Sequence, residues 1–289
     1  MKKTLTLFIA LFLYFFSFSQ ELLTLRKSFQ VMSYNIRLDN PADGPNAWSN
    51  RKTKVYSIIR LYKPDILGLQ EPLPNQVNEI AAEFRNYNWY GVGREDGKEK
   101  GEFNPIFYNT NRFELMNSGT FWLSETPDIP GSKSWYALLP RICSWVKLKD
   151  RFTGDSLYAF NTHFDHGGDA SRKESARLIQ NKITEIAGSV PVVVTGDFND
   201  DEKSDTYRIL IDTNNPNRLI NTMYNSKYPH HGGTFTFVGF DFIGIPGKII
   251  DFIFVKVRVN VKFHAFLTDT WDGVYASDHI PVLAEIELK

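Results

Sequence analysis

The sequence contains a single cysteine, Cys143, so no disulfide can form within the chain. A chain of 289 residues can bury enough surface to be stable without a covalent staple. Cys143 lies inside the apolar, strand-like run 142–148, the setting of a buried structural thiol rather than a nucleophile. A surplus of one charge is also missing, because 33 Lys and Arg balance 33 Asp and Glu. Sequence-independent nucleic-acid binding draws on many cationic contacts to phosphate and usually shows a basic surplus. Nucleic acid is therefore a disfavoured partner, although a local basic groove is compatible with this balance. No Gly/Ser/Pro-rich linker, low-complexity tract or internal repeat divides the chain, and 42% hydrophobic residues suffice for one sizeable core.

Several catalytic signatures are absent. There is no Gly-x-Ser-x-Gly elbow to carry a nucleophilic serine. A phosphate-cradling Gly-x-x-x-x-Gly-Lys-Ser/Thr loop is lacking, and so are a His-Glu-x-x-His pair and a cysteine cluster for zinc. Water activated by histidine and carboxylate is the remaining route to hydrolysis. The apolar run 5–16 falls short of the roughly 20 residues that a membrane-spanning helix needs. Lys2 and Lys3 precede it, and Ser17, Ser19 and Gln20 follow. A positive start, a short apolar middle and small or polar residues at the end describe a signal peptide over residues 1–20, with a single domain over 21–289. Export to the periplasm or medium follows from this reading, with no stable membrane insertion after cleavage.

The remainder alternates short apolar strands with amphipathic helices. Strands are predicted at 29–36, 66–69, 104–108, 142–148, 156–162, 191–195, 249–255, 259–266 and 281–288, and at 234–237 after the His230-His231-Gly232-Gly233 loop. Helices are predicted at 51–61, with Ser49 or Asn50 as cap, at 74–84, and at 171–187, where Ala176, Ile179, Ile183 and Ile186 form one apolar stripe. Residues 92–102 are polar and Gly-rich and read as an exposed loop. Such a mixture belongs to an α/β or α+β domain.

Chemistry-bearing residues recur where these apolar runs end: Asn35, Gln70-Glu71, Asn161-Thr162-His163, Gly196-Asp197-Phe198-Asn199 and Ser277-Asp278-His279, with Asp251 near the start of another run. One such residue is an ordinary turn former. The set, delivered to one rim of a sheet, marks a site. Hard oxygen donors select Mg²⁺, with Mn²⁺ equally acceptable to them. Glu71 is the foremost ligand candidate, since a carboxylate at the end of so apolar a strand needs a compensating charge.

Ser33-Tyr34-Asn35, Gln70-Glu71, Asn161-Thr162-His163, Gly-Asp-Phe-Asn at 196–199, Ile250-Asp251-Phe252-Ile253-Phe254 and Ser277-Asp278-His279-Ile280-Pro281 together resemble the ordered motifs of the endonuclease/exonuclease/phosphatase superfamily. The likeness implies a four-layered α/β/β/α sandwich of two packed mixed sheets flanked by helices. It also implies Mg²⁺-dependent hydrolysis of a phosphate-ester substrate, as a phosphatase or phosphodiesterase. A secreted endonuclease and an inactive phosphate-binding module are the alternatives. In this reading Glu71 binds the metal, with Asn35 and Asp278 contributing directly or through water. Asp197 orients or deprotonates water, Asn199 holds phosphate, His279 positioned by Asp251 stabilises the developing charge, and His163 contacts phosphate or protonates the leaving oxygen. Arg141, His166 and Arg172 are candidate substrate contacts. Loops 92–102, 126–141 and 230–247 are expected to set specificity.

Overall fold

The computed structural model describes residues 27–240 and 248–289. The segment 1–20 and the end of the 230–247 loop lie outside the described residues. Two large mixed sheets form the body. In chain order the elements are β1 (Ser28–Asn35), α1 (Trp48–Tyr62), β2 (Ile66–Gln70), α2 (Pro74–Glu83), β3 (Tyr87–Tyr90), β4 (Ile106–Asn109), β5 (Phe113–Trp122), β6 (Ile142–Asp150), β7 (Ser156–His163), α3 (Asp169–Ala187), β8 (Val192–Asp197), α4 (Asp205–Ile211), β9 (Ile220–Asn221), α5 (Thr222–Asn225), β10 (Asp251–Lys256), β11 (Val259–Phe266), β12 (Thr270–Trp271), β13 (Val274–Tyr275) and β14 (Val282–Leu288). The first sheet runs β11-β14-β1-β2-β4-β3 and the second β5-β6-β7-β8-β10-β9, while β12 and β13 form a separate ribbon.

Strand periodicity decides the layers. Alternate residues of a strand face opposite ways, and here both faces are covered. From β1 and β2, Met32, Tyr34, Leu67 and Leu69 share a buried cluster with Val55, Ile58 and Ile59 of α1 and Val77 and Ile80 of α2. The intervening Phe29, Val31 and Ile66 belong to the other cluster, which includes the second sheet. Beyond that sheet, Tyr207 of α4 packs against Phe252 and Phe254 of β10, with ring centroids 5.3 and 6.1 Å apart. The stripe Ala176, Ile179 and Ile183 buries α3 in the same cluster. The result is the four-layered sandwich.

The two sheets touch most closely at Gly68. A Cβ there would lie 2.0 Å from Thr195 Oγ1 and 2.8 Å from Asn161 Oδ1, so only glycine fits. Asn161, fully buried, spans the gap: its Nδ2 donates to Leu69 O at 2.7 Å and Pro105 O at 3.0 Å. Its Oδ1 accepts from Gln70 Nε2 at 2.6 Å and Thr195 Oγ1 at 3.0 Å.

Some local expectations are corrected. α1 begins at Trp48, so Ser49 and Asn50 sit inside its first turn; Ala47 occupies the cap position with no side-chain hydrogen bond. A 3-10 turn over Pro41–Asn46, capped by Asn40, leads into it instead. Residues 234–237 form no strand, only an isolated bridge between Phe237 and His279. β5 was not anticipated because it edges its sheet and its middle is exposed, leaving no apolar alternation to read. Arg94 is buried within the 92–102 loop, which is therefore not uniformly exposed. Gly68→Ala should lower stability by about 3 kcal/mol, because neither Thr195 nor Asn161 can move without breaking the staple. A urea midpoint equal to that of the wild type would contradict this.

Candidate active site

Strand register assembles the site. β1 and β2 are parallel with Asn35 opposite Gln70, and β7 and β8 are parallel with His163 opposite Asp197. Both parallel pairs thus end at one rim, a place where open α/β sheets commonly bind ligands. β10 is antiparallel to β8 with Asp251 opposite Asp197, which is why a residue at a strand start joins residues at strand ends. β14 is antiparallel to β1, so the 277–280 segment just before it arrives beside Asn35; Ser277 Oγ donates to Asn35 O at 2.8 Å. Asn35, Gln70, His163, Asp197 and Asp251 share the strand parity that faces the opposite sheet.

Arg51, only 2% exposed, holds the loops behind this rim. Its guanidinium donates to the carbonyls of Ile36, Arg37, Leu38, Asn46 and Ala276. The chain following Asn35 and the chain preceding Ser277 are thereby fixed to one rigid fork.

A cavity of about 330 Å³ opens at the rim, lined by Arg37, Glu71, Glu102, Leu139, Arg141, His163, His166, Asp197, Asn199, Phe237, Asp278 and His279. His279 Nδ1 lies 2.8 Å from Asp251 Oδ2, while its Nε2 is 3.6 Å from Asp197 Oδ2. His163 Nε2 stands 3.5 Å from the same Asp197 oxygen. Asn199 Nδ2 donates to that Nε2 at 2.8 Å, so the proton of neutral His163 resides on Nδ1, which makes no hydrogen bond within the chain. Asn35, buried beneath the cavity, donates from Nδ2 to Glu71 Oε1 and Asp197 Oδ2, each at 3.0 Å.

Burial and crowding set the protonation states. Burial pushes Asp197 up, Asp251 pushes it further, and His279 and Asn35 only partly offset this; it reaches about 7. Burial alone would depress His279, but the Asp251 and Asp197 carboxylates outweigh it and lift it to about 10. His163 is driven well below its ordinary value by burial and by the neighbouring Arg141 and Arg94 cations. Burial raises Asp278 and Glu102, and the negative charge of Glu71 raises both further. Unrelieved crowding of carboxylates around one cavity is the donor set that a hard divalent cation fits. Asp197, Asp251 and His279 also present ligand-type atoms within 4.8 Å of one another. His279 Nδ1 is already engaged by Asp251, however, so that trio is better described as a charge relay with one hydrogen bond, His279 to Asp251, and an ion pair at 3.6 Å to Asp197.

The predicted residues Glu71, Arg141, His163, His166, Asp197, Asn199, Asp278 and His279 meet at the cavity, with Asn35 and Asp251 in contact just behind them. Arg172 does not line it. Its Nε donates to Asp200 Oδ2 at 3.0 Å and its Nη1 to Asp165 O at 3.2 Å, fastening two loops together. His230 and His231 are also elsewhere: His230 Nδ1 is 2.8 Å from His264 Nδ1, and of the described 230–240 segment Phe237 reaches the cavity. Arg141 is buried, with Nη2 donating to His166 Nδ1 at 3.0 Å, while its Nε and Nη1 make no hydrogen bond within the chain. Sequence reasoning missed Arg37, Glu102 and Asp165. Arg37 Nη1 lies 3.9 Å from Asp278, and Glu102 pairs with Arg94 at 2.6 Å and faces Arg141 and His163 at 3.9 Å. Asp165 two residues past His163 offered one signal, an acidic residue beside a Gly-Gly turn.

Residues 32–279 match the model of the Endonuclease/Exonuclease/phosphatase family. Among solved structures, the chain is 42% identical to the endonuclease/exonuclease/phosphatase from Bacteroides vulgatus, with a TM-score of 0.85, over 91% of this chain and 99% of that one. It is 37% identical to the mannosyl-6-phosphatase of Bacteroides thetaiotaomicron, with a TM-score of 0.84, over 89% and 99% of the two chains. It is also 26% identical, over 78% of its length, to an uncharacterized protein of Acanthamoeba polyphaga mimivirus, of which it spans 37%.

The relay makes a titration prediction. His279, lifted by two carboxylates, should remain protonated through neutral pH and deprotonate as pH approaches about 10. The stabilisation from the Asp251 pairing is present below about 6.5 and is lost as pH rises through the folded value, whereas the Asp197 share fades as that carboxylate protonates below about 7. In Asp251→Asn, burial should dominate and bring the His279 midpoint down by more than a unit. Imidazole NMR titration of wild type and variant in chelator checks this, and equal midpoints would contradict it.

Proposed function

Because the chain belongs to the Endonuclease/Exonuclease/phosphatase family, we propose that it is an exported, Mg²⁺-dependent phosphatase of small extracellular phosphate esters. The observation that carries this reading is the convergence on one 330 Å³ cavity of the Asp197–His279–Asp251 relay with the unpaired N–H groups of Arg141 and His163. A cavity of this volume is at the small end of ligand pockets, suited to a compact ester. The likeness to a mannosyl-6-phosphatase at 37% identity over nearly the whole of both chains supports a sugar phosphate. The balanced charge argues against a polymer substrate.

Glu71 and Asp278 are the residues that would hold the metal, with Asn35 orienting Glu71. Bound there, a divalent cation neutralises phosphate charge and polarises the phosphorus–oxygen bond. Asp197, with a pKa near neutrality, accepts a proton from the attacking water. Protonated His279, oriented by Asp251, and Arg141 meet the charge that builds on the phosphoryl oxygens. Asn199, whose Nδ2 donates to His163 Nε2 and Phe164 O, orients His163 rather than holding phosphate. Neutral His163 donates a hydrogen bond from Nδ1–H to the departing alcohol oxygen, which takes its proton from solvent. Water thus supplies the new phosphorus–oxygen bond, and inorganic phosphate and the free alcohol are the products.

No helix among the described residues is long and apolar enough to cross a membrane. Lys2, Lys3 and the apolar run 5–16 support export by a signal peptide.

Phosphate release from sugar monophosphates, nucleotides, phospholipids, plasmid DNA and RNA, with Mg²⁺ or chelator, tests the reading. Sugar monophosphates should be hydrolysed in Mg²⁺ only, and His279→Ala should cut turnover by about 10²–10⁴-fold. Degradation of polymer without phosphate release would make the chain a nuclease, and full activity in His279→Ala would remove the mechanism.

A further inference from the structure

Tyr136 is the most exposed large apolar side chain among the described residues, at 94%. It also adopts φ 64, directly after Trp135 at φ 54, so two successive aromatic residues occupy the left-handed region. Non-glycine residues there are strained by about 1 kcal/mol or more each, and such strain collects at ligand-binding sites. Trp135 is half-buried, but the Tyr136 ring packs on almost nothing, so the folded chain does not recover the strain through that side chain.

The position of Tyr136 in the fold gives the strain a purpose. Its segment ends in two residues of the cavity wall, Leu139 and Arg141. Fully buried Asp165 fastens it to the turn that carries His166: Oδ1 accepts from Leu138 N at 3.2 Å and Oδ2 from Gly168 N at 2.8 Å. Leu138, itself 55% exposed, lies over Gly167, where a Cβ would come within 2.3 Å of its Cδ1. A Cβ on Gly168 would meet the Tyr136 carbonyl at 3.5 Å. Two walls of the cavity are therefore locked together beside the Tyr136 backbone, whose side chain is exposed to solvent.

We propose that Tyr136 is a specificity residue, a platform at the cavity rim against which the ring of the substrate's alcohol packs while the phosphate occupies the cavity. The chemistry selects a cyclic alcohol with an apolar ring face, such as a hexose phosphorylated on its exocyclic carbon, over an acyclic phosphate ester. This rests on the phosphatase reading above and adds to it the part of the substrate that does not react. Leu138 extends the apolar surface on the same segment. Tyr136 is not among the residues that line the cavity, so it acts on binding of the alcohol and leaves the chemical step alone.

The test compares KM and kcat for mannose 6-phosphate and glycerol phosphate in wild type, Tyr136→Ala, Tyr136→Phe and Tyr136→Gly. Loss of the ring should raise KM for the hexose ester about three- to tenfold with kcat nearly unchanged, and leave glycerol phosphate unaffected. Tyr136→Phe should behave as wild type. Tyr136→Gly, free to adopt the same backbone, should match or exceed wild type in Tm yet share the KM defect, separating recognition from folding. Wild-type activity with unchanged KM in Tyr136→Ala, or equal KM increases for both esters, overturns the platform alone. Wild-type protein inert toward both esters overturns the phosphatase reading and the platform with it.

Discussion

The whole site hangs on one buried amide. Asn161 uses both donors and both acceptor positions, and its partners come from both sheets: Leu69 and Gln70 of β2 and the Pro105 carbonyl on one side, Thr195 of β8 on the other. A buried amide satisfied in this way fixes the sheets in one relative position, because any slide leaves a polar group unpaired in a medium that penalises it. It lies two residues before His163 on β7 and is bonded to Gln70, which precedes Glu71. Thr195, also bonded to it, precedes Asp197 by two. The staple thus sets the distance between the carboxylate of one sheet and the histidine and carboxylate of the other. Gly68 is its steric counterpart, since the sheets could not approach this closely over a side chain.

Above the staple the governing constraint is charge. Glu71, Glu102, Asp197 and Asp278 surround a single small cavity, and Asp251 lies behind it. Arg37, Arg94 and Arg141 offset part of this, and each has carboxylate neighbours: Asp43 for Arg37 at 3.0 Å, Glu102 for Arg94, and Asp165 and Glu102 at 3.8 and 3.9 Å for Arg141. Burial first, and then the neighbouring carboxylate charge that these cations leave uncompensated, displaces Asp278, Glu102 and Asp197 upward. The same burial gives two histidines in one cavity opposite states. His279 lies between two carboxylates and stays charged, whereas His163 lies among cations and stays neutral. Two residues of one type can therefore offer a charged group and a neutral N–H donor in one cavity because their neighbours differ, the usual way a fold separates such roles.

Much of this was legible in the sequence, for a physical reason. Short buried strands are dense apolar runs, so a Glu71 or an Asp197 at the end of one stands out, and α3 declared itself through its apolar stripe. What the sequence could not convey was register. Asp251 joins the relay only because β10 runs antiparallel to β8, and Arg172, beside the right motif, turns to Asp200 instead of the cavity. Glu102 and Arg37 lie in irregular segments where no periodicity says which side chains point inward. β5 escaped notice because an edge strand with a solvated middle has no core face to imprint on its composition. Ser204 at the start of α4, whose hydroxyl accepts from Tyr207 N at 3.1 Å, was a readable cap, but its helix is too short for a periodic signal.

On the proposed reading, the cavity divides its work between two kinds of scaffold. His163, Asp197 and Asp251 sit at the ends of central strands, where hydrogen-bonded ladders hold them to within small tolerances, and Glu71, Asn199, Asp278 and His279 lie within a few residues of such ends. Recognition falls to the 126–141 and 165–168 segments, which are irregular and joined chiefly through the carboxylate of Asp165. Arg141 belongs to both, since it directly precedes β6 yet ends the recognition loop, and its guanidinium contacts His166 from the adjoining turn. Changes in the outer loop can thus alter which alcohol is accepted without disturbing the relay, whereas any change that shifts Arg141 alters both. That asymmetry follows from its burial: an exposed arginine could adjust to a moved loop, but one enclosed on nearly every side can only move with its surroundings.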